Sequence, residues 1–355
     1  MTSDRLHADF SSRLVAWQQS HGRHDLPWQG TDDPYRVWLS EIMLQQTQVD
    51  TVAPFYTRFL GRFPNIACLA AASEDEVLAC WSGLGYYSRA RNLLAAARIV
   101  MADHAGRFPA AIEAILGLPG IGRSTAAAIA VFAFDQRRAI LDGNVKRVLA
   151  RVFGIEGWPG EKSVETRMWT LAESLLPPTA IRPYTQGLMD LGATLCKRGK
   201  PDCAACPFVA DCHACRLGRQ AELPGARPRK RMPEKSTGML ILQSGAEVLL
   251  EKRPTVGIWG GLWSLPECSA DADPGREIAS LGYQAEGIRR GVDSSHAFTH
   301  FRLNIQPWFA QVRRISGANE PGRIWLALHD IDAAALPAPV RRILDSLRRR
   351  GEQAG

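Results

Sequence analysis

Apolar residues recur at the spacing of one helix face throughout residues 6–195 of the chain. In the first such segment Leu6, Phe10, Leu14 and Trp17 form a single apolar stripe. Short segments containing Gly or Pro interrupt the pattern and predict loops. The predicted helices cover residues 6–20, 34–48, 49–62, 74–81, 86–103, 110–115, 123–133, 143–153, 161–175 and 183–195. Strand-like alternation is missing from this stretch of sequence, so we predict an all-helical first domain.

The pattern changes after residues 216–236, which are rich in Lys, Arg and Pro and predict an extended basic linker. Beyond this segment, short apolar and β-branched runs predict strands. The predicted strands cover residues 238–243, 247–251, 300–309 and 323–327, and an amphipathic helix is predicted for residues 339–350. We therefore predict a helical domain over 1–215, the linker, and a smaller α+β domain over 237–350.

Composition limits the class of protein. A chain of 355 residues with 46% hydrophobic residues is long and apolar enough for two domains with cores. No apolar run reaches membrane-spanning length, and the first 25 residues mix acidic and basic with apolar side chains. We therefore expect a cytoplasmic protein that does not bind membranes. The net charge of +7 is compatible with a polyanionic partner but is weak evidence for one.

The stretch of residues 116–151 carries a turn with its own chemistry. Pro119 bars continuation of the preceding helix, and Gly120 and Gly122 leave the backbone bare and free to adopt positive φ. Ser124 then leads into an Ala-rich helix. Backbone N–H groups at such a helix start suit a phosphate oxygen. An ordinary helical hairpin explains the turn equally well on this evidence alone.

Glu41 lies within an apolar part of the predicted helix 34–48. Burial there would raise its pKa above the free value of roughly 4.3, so that it could hold a proton and act as a general acid. Gln45 and Gln48 fall on the same helix face, and Gln46 is adjacent. Such amides can enter a base stack or bind base edges. The alternative is a solvated glutamate on a helix surface.

Asp142 stands at a predicted helix start and is followed by Asn144, Lys146 and Arg147. The cations and the helix N-terminus would keep this carboxylate ionised. Cleavage of an N-glycosidic bond requires a protonated acid at the leaving base and a carboxylate beside the cationic sugar. Asp142 fits the second role and Glu41 the first. A plain N-cap is the simpler role for Asp142, and both roles can hold together.

A second glycine turn, residues 83–85, places an apolar and an aromatic side chain at a helix entrance. Leu84 and Tyr86 lie at this turn, and Arg89 follows. An aromatic side chain beside an extruded base can fill the gap in the stack. A core position is the alternative for Tyr86 and for its neighbour Tyr87.

Four of the eight cysteines are grouped in a C-x6-C-x2-C-x5-C pattern, formed by Cys196, Cys203, Cys206 and Cys212. Thiolates in such a group suit either iron–sulfur or zinc. Cys215 follows closely and is left unassigned. Lys197, Arg198 and Lys200 lie within the group and could meet phosphate.

Together these motifs resemble the helix–hairpin–helix superfamily of DNA glycosylases, which includes endonuclease III, along nearly the whole chain. In detail the chain is similar to the adenine DNA glycosylase family of that superfamily. The resemblance implies that the four cysteines hold a [4Fe–4S] cluster. It implies a monomer that binds double-stranded DNA carrying adenine opposite 8-oxoguanine or guanine. Adenine would be flipped out and protonated at N7 by Glu41, with Asp142, oriented by Asn144, stabilising the sugar cation while water attacks.

Ser124 is informative within this resemblance. The lyase members of the superfamily have a Lys at the matching position, and that Lys attacks the sugar. An unactivated Ser is a poor nucleophile, so the resemblance implies a monofunctional glycosylase in which water attacks instead.

The second domain resembles a Nudix domain at residues 257–267. A working Nudix helix carries a pair of glutamates that hold magnesium, but residues 269–282 offer only Arg276 and Glu277. The resemblance therefore implies a Nudix-like shape without hydrolysis. Phe298, Thr299 and His300 match the loop with which the family reads 8-oxoguanine, with Thr in place of the usual Ser.

Three other functions remain open at this point. A thymine- or uracil-mismatch glycosylase of the same fold usually lacks the second domain. A nucleoside diphosphate hydrolase is opposed by the missing glutamate pair. A non-catalytic iron–sulfur protein that binds DNA is opposed by the pairing of Glu41 with Asp142.

Overall fold

A computed structural model describes residues 2–228, 232–298, 300–313, 322–332 and 334–354. The chain forms two compact units that are not contiguous in sequence. The first comprises Met1–Ala71 and Asn92–Arg229, and the second comprises Ala72–Arg91 and Lys230–Gly355. The segment from 72 to 91, which we had placed in the helical domain, therefore groups with the C-terminal part of the chain.

Helices dominate the first half of the chain and strands the second. The helices are α1 (Thr2–His21), α2 (Pro34–Leu44), α3 (Val49–Arg62), α4 (Ile66–Ala71), α5 (Glu74–Trp81), α6 (Ser88–Asp103), α7 (Ile112–Leu116), α8 (Arg123–Phe134), α9 (Gly143–Phe153), α10 (Lys162–Ser174), α11 (Ile181–Asp190), α12 (His213–Arg216), α13 (Pro274–Ser280) and α14 (Ala338–Ala354). A π-helical turn, Leu191–Leu195, follows α11, and a 3₁₀ turn covers Leu328–Asp330. The strands are β1 (Glu234–Ser244), β2 (Glu247–Lys252), β3 (Trp263–Ser264), β4 (Glu267–Ser269), β5 (Gln284–Arg290), β6 (Ser294–Ala297), β7 (Arg302–Arg313) and β8 (Arg323–Ala327). None of the described helices is long and apolar enough to span a membrane.

The predicted fold class is confirmed, because the described part of the first unit is helical and the second combines strands with helices. In the core of the first unit, the fully buried ring of Phe10 on α1 stacks on Phe208 at 4.5 Å between centroids. Phe208 lies between Cys206 and Cys212, so this contact fixes the cysteine-bearing loop to α1. Burial of one such ring contributes about 1.5–3 kcal/mol to stability.

The helix containing Glu41 ends earlier than predicted. It stops at Leu44, and Gln46 takes a left-handed conformation with φ of 59°. The prediction that Gln45 and Gln48 share a helix face with Glu41 is therefore wrong. The reason is tertiary, since the Gln45 side chain donates at 3.3 Å to the carbonyl oxygen of Gly120 in the glycine turn.

The first part of the predicted linker is folded against the first unit. Leu223 is buried, and its carbonyl oxygen accepts a 2.9 Å hydrogen bond from Nε of Arg151. The N–H of Gly225 donates at 3.0 Å to the carbonyl oxygen of Gly157. The segment 216–225 is thus ordered structure and not an extended spacer as predicted.

The second unit is built on one mixed sheet with the order β3-β2-β1-β7-β5. β8 pairs with β2, β4 with β1, and β6 with β7. The long strands β1 and β7 run parallel, and the other pairings are antiparallel. The predicted strands at 247–251 and 323–327 are confirmed as β2 and β8.

Residues 72–91 are held in the second unit by polar contacts. Lys252 forms an ion pair with Asp75, and Nη2 of Arg341 donates to Oγ of Ser82 at 3.1 Å. The hydroxyl of Tyr87 donates to the carbonyl oxygen of Leu336 at 3.1 Å. These contacts explain why this segment groups with the part of the chain that begins at Lys230.

Candidate active site

Glu41 lines a cavity of about 650 Å³ in the first unit. Its helix is capped by Asp33, whose side chain accepts from the N–H of Tyr35 at 2.9 Å, and begins at Pro34. Burial raises the pKa of Glu41 to about 8, and the charge of Asp142 contributes in the same direction. A carboxyl group with this pKa is largely protonated at neutral pH, as a general acid must be.

Asp142 caps α9 as predicted, with Oδ1 accepting from the N–H of Val145 at 2.8 Å. Burial raises the pKa of Asp142, while the N–H groups of Val145 and Asn144 lower it, as do the charges of Arg147 and Lys146. These N–H groups and cations lower the pKa of Asp142, as predicted, but burial raises that pKa by more. The two carboxyl groups therefore share a poorly hydrated site in which only one of them has cationic and N–H partners.

A network behind Asp142 connects α9 to the cysteine-bearing loop. Nη2 of Arg147 donates to Oδ1 of Asn144 at 2.7 Å and to the carbonyl oxygen of Gly192 at 2.7 Å, and its Nε donates to the carbonyl oxygen of Cys196 at 2.6 Å. A Cβ at Gly192 would lie 2.5 Å from Cβ of Asn144. Glycine is therefore required where the π-helical turn meets α9.

The wall of the Glu41 cavity contains residues that we did not single out from the sequence. Asp190 is fully buried and binds two of them, accepting from Nε of Arg23 at 2.7 Å and from Nε2 of Gln186 at 2.8 Å. The lining includes Gln18, Arg23, His24, Leu26, Trp28, Val37, Ser40, Leu44, Phe132, Arg182, Gln186 and Met189. Arg23 and Asp190 are 167 positions apart, so no local sequence pattern signals their pairing.

The glycine turn and Ser124 take the predicted positions at the start of α8. Gly120 has φ of 80°, and a Cβ there would lie 2.9 Å from Cβ of Asn92. Gly122 is exposed and precedes the first helical residue. Oγ of Ser124 accepts from the N–H of Leu141 at 2.9 Å, so this hydroxyl joins the turn to the segment that leads to Asp142.

Three side chains predicted to contact DNA differ in their exposure and in their contacts within the protein. Gln46 and Gln48 are exposed. Nζ of Lys146 donates to Oε1 of Glu165 at 2.6 Å and to the carbonyl oxygen of Pro159 at 3.4 Å. Lys146 is therefore engaged in an ion pair within the first unit.

The four predicted cysteine ligands line one small cavity, together with Cys215. Nη1 of Arg151 lies 3.4 Å from Sγ of Cys196, and Sγ of Cys212 donates to the carbonyl oxygen of Arg151 at 3.3 Å. Among the residues described, no three metal-binding side chains are close enough to ligate a single metal ion. The four cysteines that the sequence pattern grouped therefore line the same cavity.

In the second unit, Leu84 and Arg89 are buried and Tyr86 is 45% exposed. Nη2 of Arg89 donates to the carbonyl oxygens of Leu84 and Gly85 at 3.3 and 3.1 Å. Its guanidinium carbon lies 5.4 Å from the ring centroid of Tyr86, which has φ of 50°. Arg89 therefore braces the turn that presents Tyr86.

The predicted lesion-reading loop forms an aromatic cluster in the second unit. Phe298 stacks on Phe301 at 4.6 Å between centroids and lies 5.4 Å from the ring of Trp259. His300 is exposed and packs edge-on against Phe301 at 4.8 Å. Thr299 lies outside the described residues.

Two sequence families match the chain. Residues 39–174 match the HhH-GPD superfamily of base excision DNA repair proteins, and residues 237–346 match the NUDIX domain. The solved structure of a thermostable thymine-DNA glycosylase has a TM-score of 0.55 and 31% identity, and covers 61% of this chain and 100% of its own. The fold and the site therefore define a helix–hairpin–helix protein of base excision repair, joined to a Nudix-like domain.

Relatives over the whole length narrow this class. The adenine DNA glycosylase of Buchnera aphidicola (subsp. Baizongia pistaciae) is 36% identical over 96% of this chain and 97% of its own. The mouse adenine DNA glycosylase is 33% identical over 94% of this chain and 77% of its own. The chain belongs to the adenine DNA glycosylase family.

Proposed function

We propose that this protein excises adenine mispaired with 8-oxoguanine or guanine in double-stranded DNA, with Glu41 as the general acid and Asp142 as the stabiliser of the sugar cation. The observation that carries the proposal is the position of Glu41 in the wall of a cavity of about 650 Å³, where burial and the charge of Asp142 raise its pKa to about 8. Family membership supports adenine as the base. We further propose that the protein acts in the cytoplasm as a monomer.

We assign the proton of the carboxyl pair to Glu41, although burial raises the pKa of Asp142 as well. Asp142 has the N–H groups of Val145 and Asn144 and the charges of Arg147 and Lys146 to stabilise its negative charge. Burial is the largest cause of the raised pKa of Glu41, and the charge of Asp142 raises that pKa further. Two carboxyl groups of which one has partners that stabilise its negative charge can serve as anion and acid in the same reaction.

The reaction then follows from the positions of these two groups. Duplex DNA binds to the glycine turn through backbone N–H groups at the start of α8, and the target adenine leaves the stack for the cavity. Glu41 donates its proton to N7 of adenine, and the bond between C1′ and N9 breaks with its electron pair moving to the base. The carboxylate of Asp142 stabilises the positive charge at C1′ until water attacks and loses a proton.

The cavity wall supplies the fit for the base. Arg23 and Gln186 are both fixed by Asp190, so they present donors in a set geometry. Trp28 is nearly buried and lies edge-on to Tyr56 at 5.5 Å, which gives the cavity a rigid apolar side. A cavity with one apolar side and a few fixed polar groups is typical of base recognition.

We also propose that Cys196, Cys203, Cys206 and Cys212 hold a [4Fe–4S] cluster. The four cysteines supply a suitable set of sulfur ligands, since all four line one cavity and Arg151 places a cation beside Cys196. Bound there, the cluster would crosslink the loop that carries the cysteines. Arg151 and Arg147 secure the loop from α9 through the carbonyl oxygens of residues 196–198.

The test is base excision from four duplexes, carrying A·8-oxoguanine, A·G, T·G or U·G, by the unmodified protein and by Glu41→Gln. We expect excision of adenine only, and a loss of about 10²–10⁴-fold in Glu41→Gln with duplex binding retained, because the amide donates no acidic proton. Glu113→Gln, an exposed glutamate of the same unit, is the matched control and should remain active.

The other functions correspond to other outcomes of this experiment. Excision of thymine or uracil would favour the mismatch glycosylase to which the thymine-DNA glycosylase relative points. Binding without any excision would indicate a non-catalytic DNA-binding protein. Hydrolysis of nucleoside diphosphate compounds by this protein, measured in a separate assay, would contradict the prediction that its Nudix-like domain has no hydrolase activity.

A further inference from the structure

We propose that Cys215 is a reserve ligand of the cluster, whose thiol takes the coordination position of Cys203 when that ligand is lost. This inference rests on the proposed [4Fe–4S] cofactor. It goes beyond the four-cysteine pattern because Cys215 lies outside that pattern.

The first observation is the position of Cys215. Its side chain lines the same cavity as the four predicted ligands. It lies in α12, three residues after Cys212, which is the residue that precedes this helix. The sequence thereby contains two C-x2-C pairs, Cys203 with Cys206 and Cys212 with Cys215.

The second observation is the contact between Cys215 and one particular ligand. The side chains of Cys215 and Cys203 lie close enough to interact, and the Gln220 side chain lies beside Cys215 as well. The same amide donates to Sγ of Cys203 at 3.8 Å. One amide thus contacts both thiols and keeps them together.

The third observation separates Cys203 from the other ligands. Cys196 is held by Arg151, and Cys212 is buried with its thiol donating to the carbonyl oxygen of Arg151. Cys203 lies in the turns between α11 and α12 and is only half-buried. Arg151 thus contacts Cys196 and Cys212, and the spare thiol lies beside Cys203, one of the two remaining ligands.

The exchange requires no change of oxidation state. The sulfur of Cys203 leaves its iron as a thiolate, and the sulfur of Cys215 binds that iron after losing its proton. The departing thiolate takes up the proton, so charge and atoms balance within the site. Because the two thiols are already in contact, the exchange needs no rearrangement of the helices.

The decisive variants are Cys203→Ala and Cys203→Ala/Cys215→Ala in the full-length chain, purified without oxygen. We expect the single variant to keep iron and sulfide in near-equal amounts, since alanine cannot ligate and Cys215 can. The double variant should contain less iron than sulfide, with the electron paramagnetic resonance signal of a three-iron cluster, or lose both elements. Equal iron content in the two variants would overturn the proposal.

Cys196→Ala is the matched control, because its thiol contacts Arg151 and not Cys215. It should lose iron whether or not Cys215 is present, and retention equal to that of Cys203→Ala would contradict the specific role of Cys215. If the unmodified protein contains zinc or no metal, the cofactor proposal itself fails.

A milder variant keeps the inference testable if the others do not fold. Cys215→Ala leaves all four predicted ligands in place and should contain a full cluster. We expect a chelator to remove iron from it about tenfold faster than from the unmodified protein, the scale of effect seen when a supporting group beside a metal is lost. An unchanged rate of iron loss would overturn the proposal.

Discussion

The two compact units carry their chemistry in opposite ways. In the first unit, Glu41 and Asp142 are carboxyl groups held in poorly hydrated positions, and burial is the largest cause of the shift in each pKa. In the second unit, the half-buried Phe298 forms a cluster of rings with the buried Trp259 and the exposed His300. The difference agrees with our proposal that the first unit reacts with a base and the second recognises one, although the second matches the NUDIX domain family.

The largest expected effect separates the charge of Asp142 from its role as a helix cap. Asp142→Asn should still cap α9, because Asn caps as well as Asp, but a neutral amide cannot offset the sugar cation. We expect excision in single-turnover assays to fall by about 10²–10³-fold or more. Asp33→Asn changes a cap of the same kind at α2 and should keep near-normal activity. Similar losses in both variants would show that Asp142 matters only as a cap.

The next largest effect is a pH-dependent change in the free energy of unfolding, caused by the ionisation of Glu41. Its folded-state pKa is about 8, above the unfolded value of 4.5. The stability this group contributes is therefore complete below pH 4.5 and is lost as the pH rises through about 8. Glu41→Gln cannot ionise, so at about pH 9 it should be more stable than the unmodified protein by about 2–5 kcal/mol.

Urea unfolding at about pH 5 and about pH 9 measures this difference. The gain in Glu41→Gln should be large at the higher pH and small at the lower one. Glu113→Gln should show no such dependence on pH. A gain that is independent of pH would mean that Glu41 is not held protonated by its surroundings.

A smaller effect tests the second unit in the intact chain. Thr299→Val with His300→Ala should remove the polar groups proposed to read 8-oxoguanine, at a cost of about 1–3 kcal/mol in discrimination. The ratio of kcat/KM for A·8-oxoguanine and A·G duplexes should fall accordingly, whereas Thr299→Ser should preserve it. An unchanged ratio would place lesion recognition in the first unit.

Point substitutions are a cleaner test here than truncation after Lys235. Residues 72–91 belong to the same compact unit as the C-terminal part of the chain, held by contacts such as those of Asp75 and Tyr87. Removal of that part would therefore also disturb the turn that presents Tyr86.

The smallest effect concerns Ser124. Ser124→Ala loses the hydrogen bond to the N–H of Leu141 and should lower the free energy of unfolding by about 0.5–1.5 kcal/mol. The unmodified protein should give no efficient borohydride-trapped complex with DNA, because it has no lysine at this position, and Ser124→Lys should introduce some trapping. Strong trapping by the unmodified protein would contradict attack by water.

Local patterns in the sequence predicted those parts of the molecule that depend on neighbouring residues. The cap at Asp142, the glycine turn and strand β8 all depend on short-range conformational preference, and the structure shows each of them. The early end of α2 was not predictable, because Gln45 follows the helix without a breaker and is drawn to Gly120 across 75 positions.

The cavity wall was beyond sequence reasoning for the same physical reason. Asp190 pairs with Arg23, which lies 167 positions before it in the sequence. Nothing within the sequence of α11 distinguishes Asp190 from an ordinary polar residue. The mostly exposed strand β5 was missed because its polar sequence has little alternation. Long-range pairing and edge strands leave little trace in local sequence.

The pH dependence of single-turnover adenine excision tests the central claim most directly, since Glu41 must be protonated when the bond breaks. With a pKa of about 8 for Glu41, the rate should stay high from about pH 6 to about pH 8 and then fall about tenfold for each further pH unit. Saturating protein would remove the contribution of DNA binding. A rate that declines from about pH 5, or one that stays constant beyond about pH 9, would contradict the assignment of Glu41 as the buried general acid.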